Sequence, residues 1–449
     1  MEQNFDLIVI GTGAGGSPVA HQCREAGWNV AIVDSRPFGG TCALRGCDPK
    51  KVLVGAADVS DWATRMHDKG IAAQSTTIDW RALMRFKRTF TDPVPESREK
   101  EFAEAGIATF HGRARFLDRT RLQVNEDVLS ARFVHIAAGA RPATMGIDGE
   151  EHLITSDRFL DLDELPKRIT FVGGGYISFE FAHVAARAGV EVRIIHRGAR
   201  PLERFDADLV DELLAASRDA GIDVVLNTVV KSIEQTEGHF VIKSSAEKTF
   251  ETDLVVHGAG RVPDIDDLNL DVANIKRDKD GVAVNEYLQS VSNPAVYAAG
   301  DSAASGGFKL TPVASRQAET AAANILEGNK RKVNYEAIPT VVFTIPPLAA
   351  VGLSEAEAKQ QQGLKFKTNN TKTSDWYSSR RINLKHSAFK VLIEEKTERI
   401  LGAHLLGAHA DETINLFALA IRAGLNAADL RVMIFAYPTH TSDVIHMLA

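Results

Sequence analysis

Two cysteines, Cys42 and Cys47, stand five positions apart in the run Gly39-Gly40-Thr41-Cys42-Ala43-Leu44-Arg45-Gly46-Cys47-Asp48-Pro49-Lys50-Lys51. A close thiol pair can pass between dithiol and disulfide forms and so carry reducing equivalents. In a regular helix their Cα atoms would sit about 8–9 Å apart on different faces, whereas a disulfide needs about 4.4–6.8 Å. A bridge here therefore requires a distorted backbone, and Gly46 and Pro49 are residues that tolerate or impose one. The chain holds only three cysteines. A bridge in so cysteine-poor a chain is expected to be used rather than structural. The spacing by itself leaves open that both are small buried thiols.

The elements around this run read as a dinucleotide-binding unit. Asp6-Leu7-Ile8-Val9-Ile10 is a buried-type strand entering Gly11-Thr12-Gly13-Ala14-Gly15-Gly16 and then a helix to about Gly27, with Cys23 inside it as core packing. The next strand, Asn29–Val33, ends at Asp34. Strand, G-x-G-x-x-G (Gly11, Gly13, Gly16), helix, strand and acid is the full βαβ context in which glycines let backbone amides approach a pyrophosphate and the acid accepts from a ribose diol. A second copy follows: Arg168–Val172, a turn with Gly173 and Gly175 in which Ser178 takes the third glycine's place, and the strand Val190–Ile195. It closes around Gly258-Ala259-Gly260-Arg261.

The chain has 449 residues, 44% hydrophobic and 25% charged, with a formal net charge of -7. That length exceeds one core and implies two to four domains. The negative charge argues against nucleic acid or an anionic membrane as partner. The start, Met1-Glu2-Gln3-Asn4-Phe5-Asp6, lacks the features of a signal peptide, and no apolar run is long enough to span a bilayer, so a cytoplasmic location is expected.

With the Gly-Gly-Thr-Cys…Gly-Cys-x-Pro-x-Lys frame and both glycine turns in order, the chain resembles the FAD-dependent pyridine nucleotide–disulfide oxidoreductases, which include glutathione reductase, dihydrolipoamide dehydrogenase and mercuric reductase. The resemblance covers nearly the whole chain. It implies an α/β fold of two Rossmann-like domains, for FAD and NAD(P)H, plus a C-terminal α+β dimerisation domain. The expected division is 1–145 for the FAD domain, 146–265 for the NAD(P)H domain, 266–335 for a return to the FAD domain and 336–449 for dimerisation. By resemblance, Thr41 belongs to the flavin site and Gly139 marks the crossing to the second nucleotide domain. Asp301 serves the flavin's ribityl and pyrophosphate region, and Thr311 opens a helix aimed at the ring. Cys47 is the thiolate near the flavin and Cys42 the interchange thiol. Lys50 or Lys51 lies near the flavin's reactive nitrogen, paired with Glu180. The resemblance also implies a homodimer in which the C-terminal tail completes the partner's site.

The second strand of the second unit ends Ile195-His196-Arg197-Gly198-Ala199-Arg200, with arginines where NAD proteins place an acid. Arg197 suits the 2′-phosphate of NADPH. Two departures bear on the acceptor. The family's disulfide reductases carry a His-Pro-Thr motif near the C-terminus, whose His shuttles protons. Here the motif is Tyr437-Pro438-Thr439-His440-Thr441-Ser442-Asp443. Tyrosine is a poor base at neutral pH. Mercuric reductases also use Tyr, but they end in a cysteine pair, and this chain ends His446-Met447-Leu448-Ala449. His440, one helical turn after Tyr437 and one before Asp443, is a candidate replacement shuttle. Glutathione reductases hold substrate carboxylates with arginines where this chain has His21, Gln22 and Glu319, which argues against glutathione disulfide. The expected acceptor is a small disulfide or a related thiol-reactive compound. Reduction of a soft metal ion or a quinone, or redox sensing, are the alternatives, and no resident metal is expected.

Overall fold

A computed structural model describes residues 2–72, 76–245 and 247–449; Met1 lies outside the described residues. The chain forms two compact units. The first comprises Met1–Lys50, Arg85–Ala143 and Gly260–Tyr335, and the second Lys51–Met84, Thr144–Ala259 and Glu336–Ala449.

In the first unit a seven-stranded sheet runs in the order Ala108–His111, Val30–Asp34, Glu2–Ile10, Asp127–Ile136, Arg121–Val124, Ala114–Phe116, and Val296–Ala298 also pairs with Asp127–Ile136. Its central strands are parallel, with Leu7 opposite Val30 and Val9 opposite His135. Parallel strands are buried on both faces, which is why Leu7-Ile8-Val9-Ile10 is a continuous apolar run. Leu7, Val9, Val30 and Ile32 pack against Val19, Ala20 and Cys23 and against Ala318, Ala322 and Ile325. Ile8, Ile10, Val33, Val134 and Ile136 face the opposite layer. Each such side chain contributes about 1.5–3 kcal/mol by leaving water. Cys23 is buried in this core as expected, and burial pushes its thiol up to about 12.

His135 lies fully buried in this sheet and its Nε2 bonds the carbonyl of Gly15 at 2.8 Å. Burial pushes its imidazole down to about 4. An unfolded histidine titrates near about 6.5. Between those values the unfolded chain binds a proton that the folded chain refuses, so stability falls as pH is lowered from about 6.5 toward 4. The urea midpoint is expected to drop at pH 5 by the equivalent of about 2 kcal/mol from this group. His135→Leu should flatten that slope; an equal slope in the variant would refute the assignment.

The second unit holds a five-stranded parallel sheet ordered Ile222–Val225, Glu191–Ile195, Arg168–Val172, Leu254–His257, Leu153–Ile154. A three-stranded antiparallel sheet, Val230–Thr236, His239–Ser244 and Thr249–Thr252, follows it in the chain. The C-terminal portion is a five-stranded antiparallel sheet, Thr340–Val342, Leu348–Gly352, Ile400–Leu406, Ala388–Glu394, Phe366–Lys372. The helix Ala410–Ala423 packs Ile414 and Phe417 on it. Lys390 of this sheet is buried and its ammonium meets Asp206, Asp208 and Glu355 at 2.9, 2.6 and 2.9 Å. Val432, Ile434 and Tyr437 stand exposed after that helix. Among the described residues no helix is long and apolar enough to cross a membrane.

Candidate functional site

The first glycine turn and the cysteine run are built into one another. A Cβ on Gly11 would lie 2.2 Å from the Ala137 carbonyl oxygen, and one on Gly16 would lie 2.0 Å from that of Gly11. Gly13 faces Gly40 so closely that a Cβ on Gly40 would meet Gly13 Cα at 2.4 Å. Thr12 ties the same region to the second strand. Its amide and hydroxyl donate to Asp34 Oδ2 at 2.9 and 2.7 Å, and its Oγ1 accepts from the amide of Gly39 at 3.0 Å. A turn stripped of side chains at the start of the helix Ser17–Glu25, beside a half-buried carboxylate, fits the pyrophosphate and ribose of a dinucleotide. Further along the same unit, Ala140–Pro142 pairs with Arg261–Pro263. Gly139 accepts from the amide of Asp264, and Gly260 from that of Ala143, both at 3.0 Å. Asp301 lies in the 3-10 turn Gly300–Ser302, where burial raises its carboxyl against the opposing pull of Lys309 and Arg261.

The distortion expected between the cysteines is found at Gly46. The helix Gly40–Arg45 ends there and a new one, Cys47–Arg65, begins at once. A Cβ on Gly46 would lie 2.8 Å from the Thr41 carbonyl oxygen, so only glycine allows the second helix to start so close to the first. Pro49 then lies in the first turn of the new helix, where its missing N–H costs nothing. Cys42 and Cys47 are thus adjacent, both half-buried, and in the dithiol form. Thr311 is the first residue of the helix Thr311–Glu327, and its Oγ1 lies 3.5 Å from Cys47 Sγ. A helix N-terminus favours negative charge. The Cys42 thiol is held well above the ordinary range, first by its hydrogen bond with Cys47 and then by burial; charge on Cys47 and on Asp48 adds to this. Cys42 therefore keeps its proton at neutral pH.

In the second unit, Glu180 is buried on the helix Tyr176–Arg187 and its Oε1 accepts from the amide of Phe343 at 2.8 Å. The ammonium of Lys51 lies 3.9 Å from the centroid of the Phe343 ring. Lys51 and Glu180 thus share Phe343 as a neighbour. Lys50 belongs to the first unit and is buried. The second glycine turn is as tight as the first: a Cβ on Gly173 would sit 2.2 Å from the Gly258 carbonyl oxygen, and Gly175 caps the helix that follows. Ser178 is fully buried against Gly258. Arg197 is exposed just past the second strand, and Arg200 sits 3.8 Å from Asp211.

The C-terminal motif departs from its expected form. In place of the helical turns assumed for Tyr437, His440 and Asp443 stands a 3-10 turn, Thr441–Asp443, followed by the short helix Val444–Met447. Residues 437–440 are not helical, so the one-turn spacing of Tyr437 and His440 does not apply; Tyr437-Pro438 is a cis peptide. Asp443 is not the partner of His440, because its carboxylate takes a short hydrogen bond from the Ser378 hydroxyl. The His440 ring instead packs on His409, centroids 4.9 Å apart, and burial pushes its imidazole down to about 4. It is neutral at pH 7, and its burial makes it a weak proton acceptor there. Tyr437 is 79% exposed.

Sequence reasoning missed three contacts: Thr12 as the link between Asp34 and Gly39, Thr311 on the Cys47 sulfur, and Asp48 on the Cys42 sulfur at 3.7 Å. Only Asp48, one position after Cys47, carried any local signal.

Two nucleotide turns, a hinged thiol pair and a C-terminal antiparallel sheet define a flavin-linked disulfide oxidoreductase. The family described as pyridine nucleotide-disulphide oxidoreductase matches residues 5–318, and its dimerisation domain matches 338–448, so the chain belongs to that family. It is 32% identical over 449 residues to a glutathione reductase of Burkholderia cepacia, covering 98% of each chain. It is 30% identical over 435 residues to a mercuric reductase of Staphylococcus aureus, covering 95% of this chain and 79% of that one. Among solved structures, the Cu(II) complex of the HOCl-induced flavoprotein disulfide reductase RclA from Escherichia coli superposes with a TM-score of 0.90, at 26% identity over 99% of each chain. The chain is thus an NAD(P)H-dependent flavoprotein disulfide oxidoreductase whose cofactors are FAD and NADPH, and its dimerisation domain supports a homodimer.

Proposed function

We propose that electrons pass from NADPH through FAD to the Cys42–Cys47 pair and then to a small disulfide, or a similar thiol-reactive acceptor, other than glutathione disulfide. The observation that carries this reading is the thiol pair itself: two adjacent sulfurs hinged at Gly46, with a helix-opening Thr311 on Cys47. When bound, FAD supplies the two-electron step between the nicotinamide and the sulfurs. Gly11, Gly13, Gly16, Asp34, Thr41, Gly139 and Asp301 hold it in this reading, with Lys50 or Lys51 and Glu180 beside its reactive end. Gly173, Gly175, Arg197 and Gly260 serve NADPH. Cys47 holds the thiolate and Cys42 meets the acceptor. The fourfold division at 145, 265 and 335 and a cytoplasmic location belong to the same reading.

Against glutathione disulfide stand the acid Glu319, held by Arg316 at 2.7 Å, and His21, 3.5 Å from Glu101. Neither offers a free cation to a carboxylate. The test is NADPH oxidation by the holoenzyme with glutathione disulfide beside uncharged and cationic disulfides. Fast, Cys42-dependent turnover of glutathione disulfide would refute the exclusion.

Soft-metal reduction is the second reading. It is favoured by Tyr437 standing where a proton-relaying His is absent, since a soft ion takes thiolates without a relay. The mercuric reductase relative and the copper complex of the structural neighbour lend it support. The two readings part at His440. If a proton relay is needed, His440→Gln should cut disulfide turnover at least about tenfold; turnover like that of the unmodified enzyme would remove His440 from the mechanism.

A further inference from the structure

The carboxylate of Asp48, beside the candidate interchange sulfur, helps to hold the Cys42 proton but has no role assigned toward the acceptor. Asp48 lies in the first turn of the helix Cys47–Arg65, is exposed, and accepts a hydrogen bond from Cys42 Sγ on its Oδ1 at 3.7 Å. As a helix-opening acid it would be satisfied by the helix N-terminus alone and would need no sulfur. Here the same carboxylate faces the thiol that an acceptor must reach. Any acceptor sulfur bonding to Cys42 brings its own charged groups within a few ångströms of Asp48.

We propose that Asp48 is a specificity-determining residue of the sulfur pair: its charge admits acceptors that bring positive charge to Cys42 and turns anionic ones away. This rests on Cys42 being the interchange thiol. When Cys42 reacts, negative charge develops on its sulfur next to an existing carboxylate. A cationic acceptor offsets both charges, whereas an anionic acceptor adds a third of the same sign.

With a disulfide acceptor the step balances without further reactants. The Cys42 sulfur bonds one acceptor sulfur as the acceptor's S–S bond breaks, and the Cys42 proton leaves with the departing thiol. The Cys47 thiolate then attacks the Cys42 sulfur, forms the Cys42–Cys47 bond and expels the second thiolate. The acceptor gains two electrons and the dithiol loses two, which NADPH restores.

The test uses NADPH-reduced holoenzyme and Asp48→Asn, an isosteric change at an exposed position, with Asp48→Glu keeping the charge. Cys42 is alkylated with neutral iodoacetamide and anionic iodoacetate, and its modification is followed by peptide mass. The iodoacetate rate relative to iodoacetamide is expected to rise at least about fivefold in Asp48→Asn and to stay near the native ratio in Asp48→Glu. In turnover, the preference for cystamine over 3,3′-dithiodipropionate should fall at least about tenfold in Asp48→Asn. Ratios within about twofold of the native protein would overturn the proposal. If the native enzyme reduces neither disulfide, the acceptor reading fails, and the alkylation ratio still decides the role of Asp48.

Discussion

Replacing Cys42 with serine is expected to lower acceptor turnover by about 10³-fold or more while NADPH still reduces the flavin. A hydroxyl at neutral pH is a far weaker nucleophile than a thiol, and nothing else in the run can form the second sulfur bond. Cys47 and its contact with Thr311 remain, so the sulfur proposed to face the flavin is kept. The variant also removes the hydrogen bond between the two sulfurs that holds the Cys42 proton. Rapid-mixing absorbance with NADPH, beside steady-state turnover, separates the two half-reactions. Turnover that survives the change would mean that electrons leave from the flavin directly, as in simple quinone reduction, and the dithiol pathway would be refuted.

Gly40→Ala is expected to cost the protein its flavin, weakening FAD at least about 100-fold, which corresponds to about 2.7 kcal/mol. Two effects combine. Gly40 has φ +73, a left-handed conformation that costs an L-residue about 1–2 kcal/mol. Its new methyl would also overlap Gly13 Cα at 2.4 Å, inside the turn proposed to cradle the pyrophosphate. Backbone on both sides means that neither partner can yield without reshaping the turn. The ratio of flavin to protein absorbance after purification, and FAD titration of the stripped protein, read the result. A fully flavinated variant would show that the glycine contact does not shape the cofactor site. Gly55, with open space around it, is the control position at which alanine should leave flavin content unchanged.

Much of this protein was determined by sequence alone, because its motifs act through local backbone chemistry. Gly11, Gly13 and Gly16 between a run of apolar residues and Asp34 demand a tight turn, whatever surrounds them. Gly46 between the cysteines had to break the helix, since five regular residues cannot bring two sulfurs together. The continuous Leu7–Ile10 run had to be a strand buried on both faces. Those are short-range constraints, and they survive folding.

Charge placement and side-chain pairing followed a different rule. Thr311 reaches the Cys47 sulfur across 264 positions of sequence, and Glu180 holds the amide of Phe343 across 163. No spacing announces such contacts, because they depend on which strands lie side by side. The C-terminal motif is the clearest case. Helical periodicity paired His440 with Asp443, but the chain turns at Tyr437-Pro438, Asp443 goes to Ser378, and His440 meets His409 instead. Periodicity predicts partners only where the backbone is regular. Elsewhere tertiary packing chooses them, and only the folded chain set Asp48 and Thr311 on the two sulfurs.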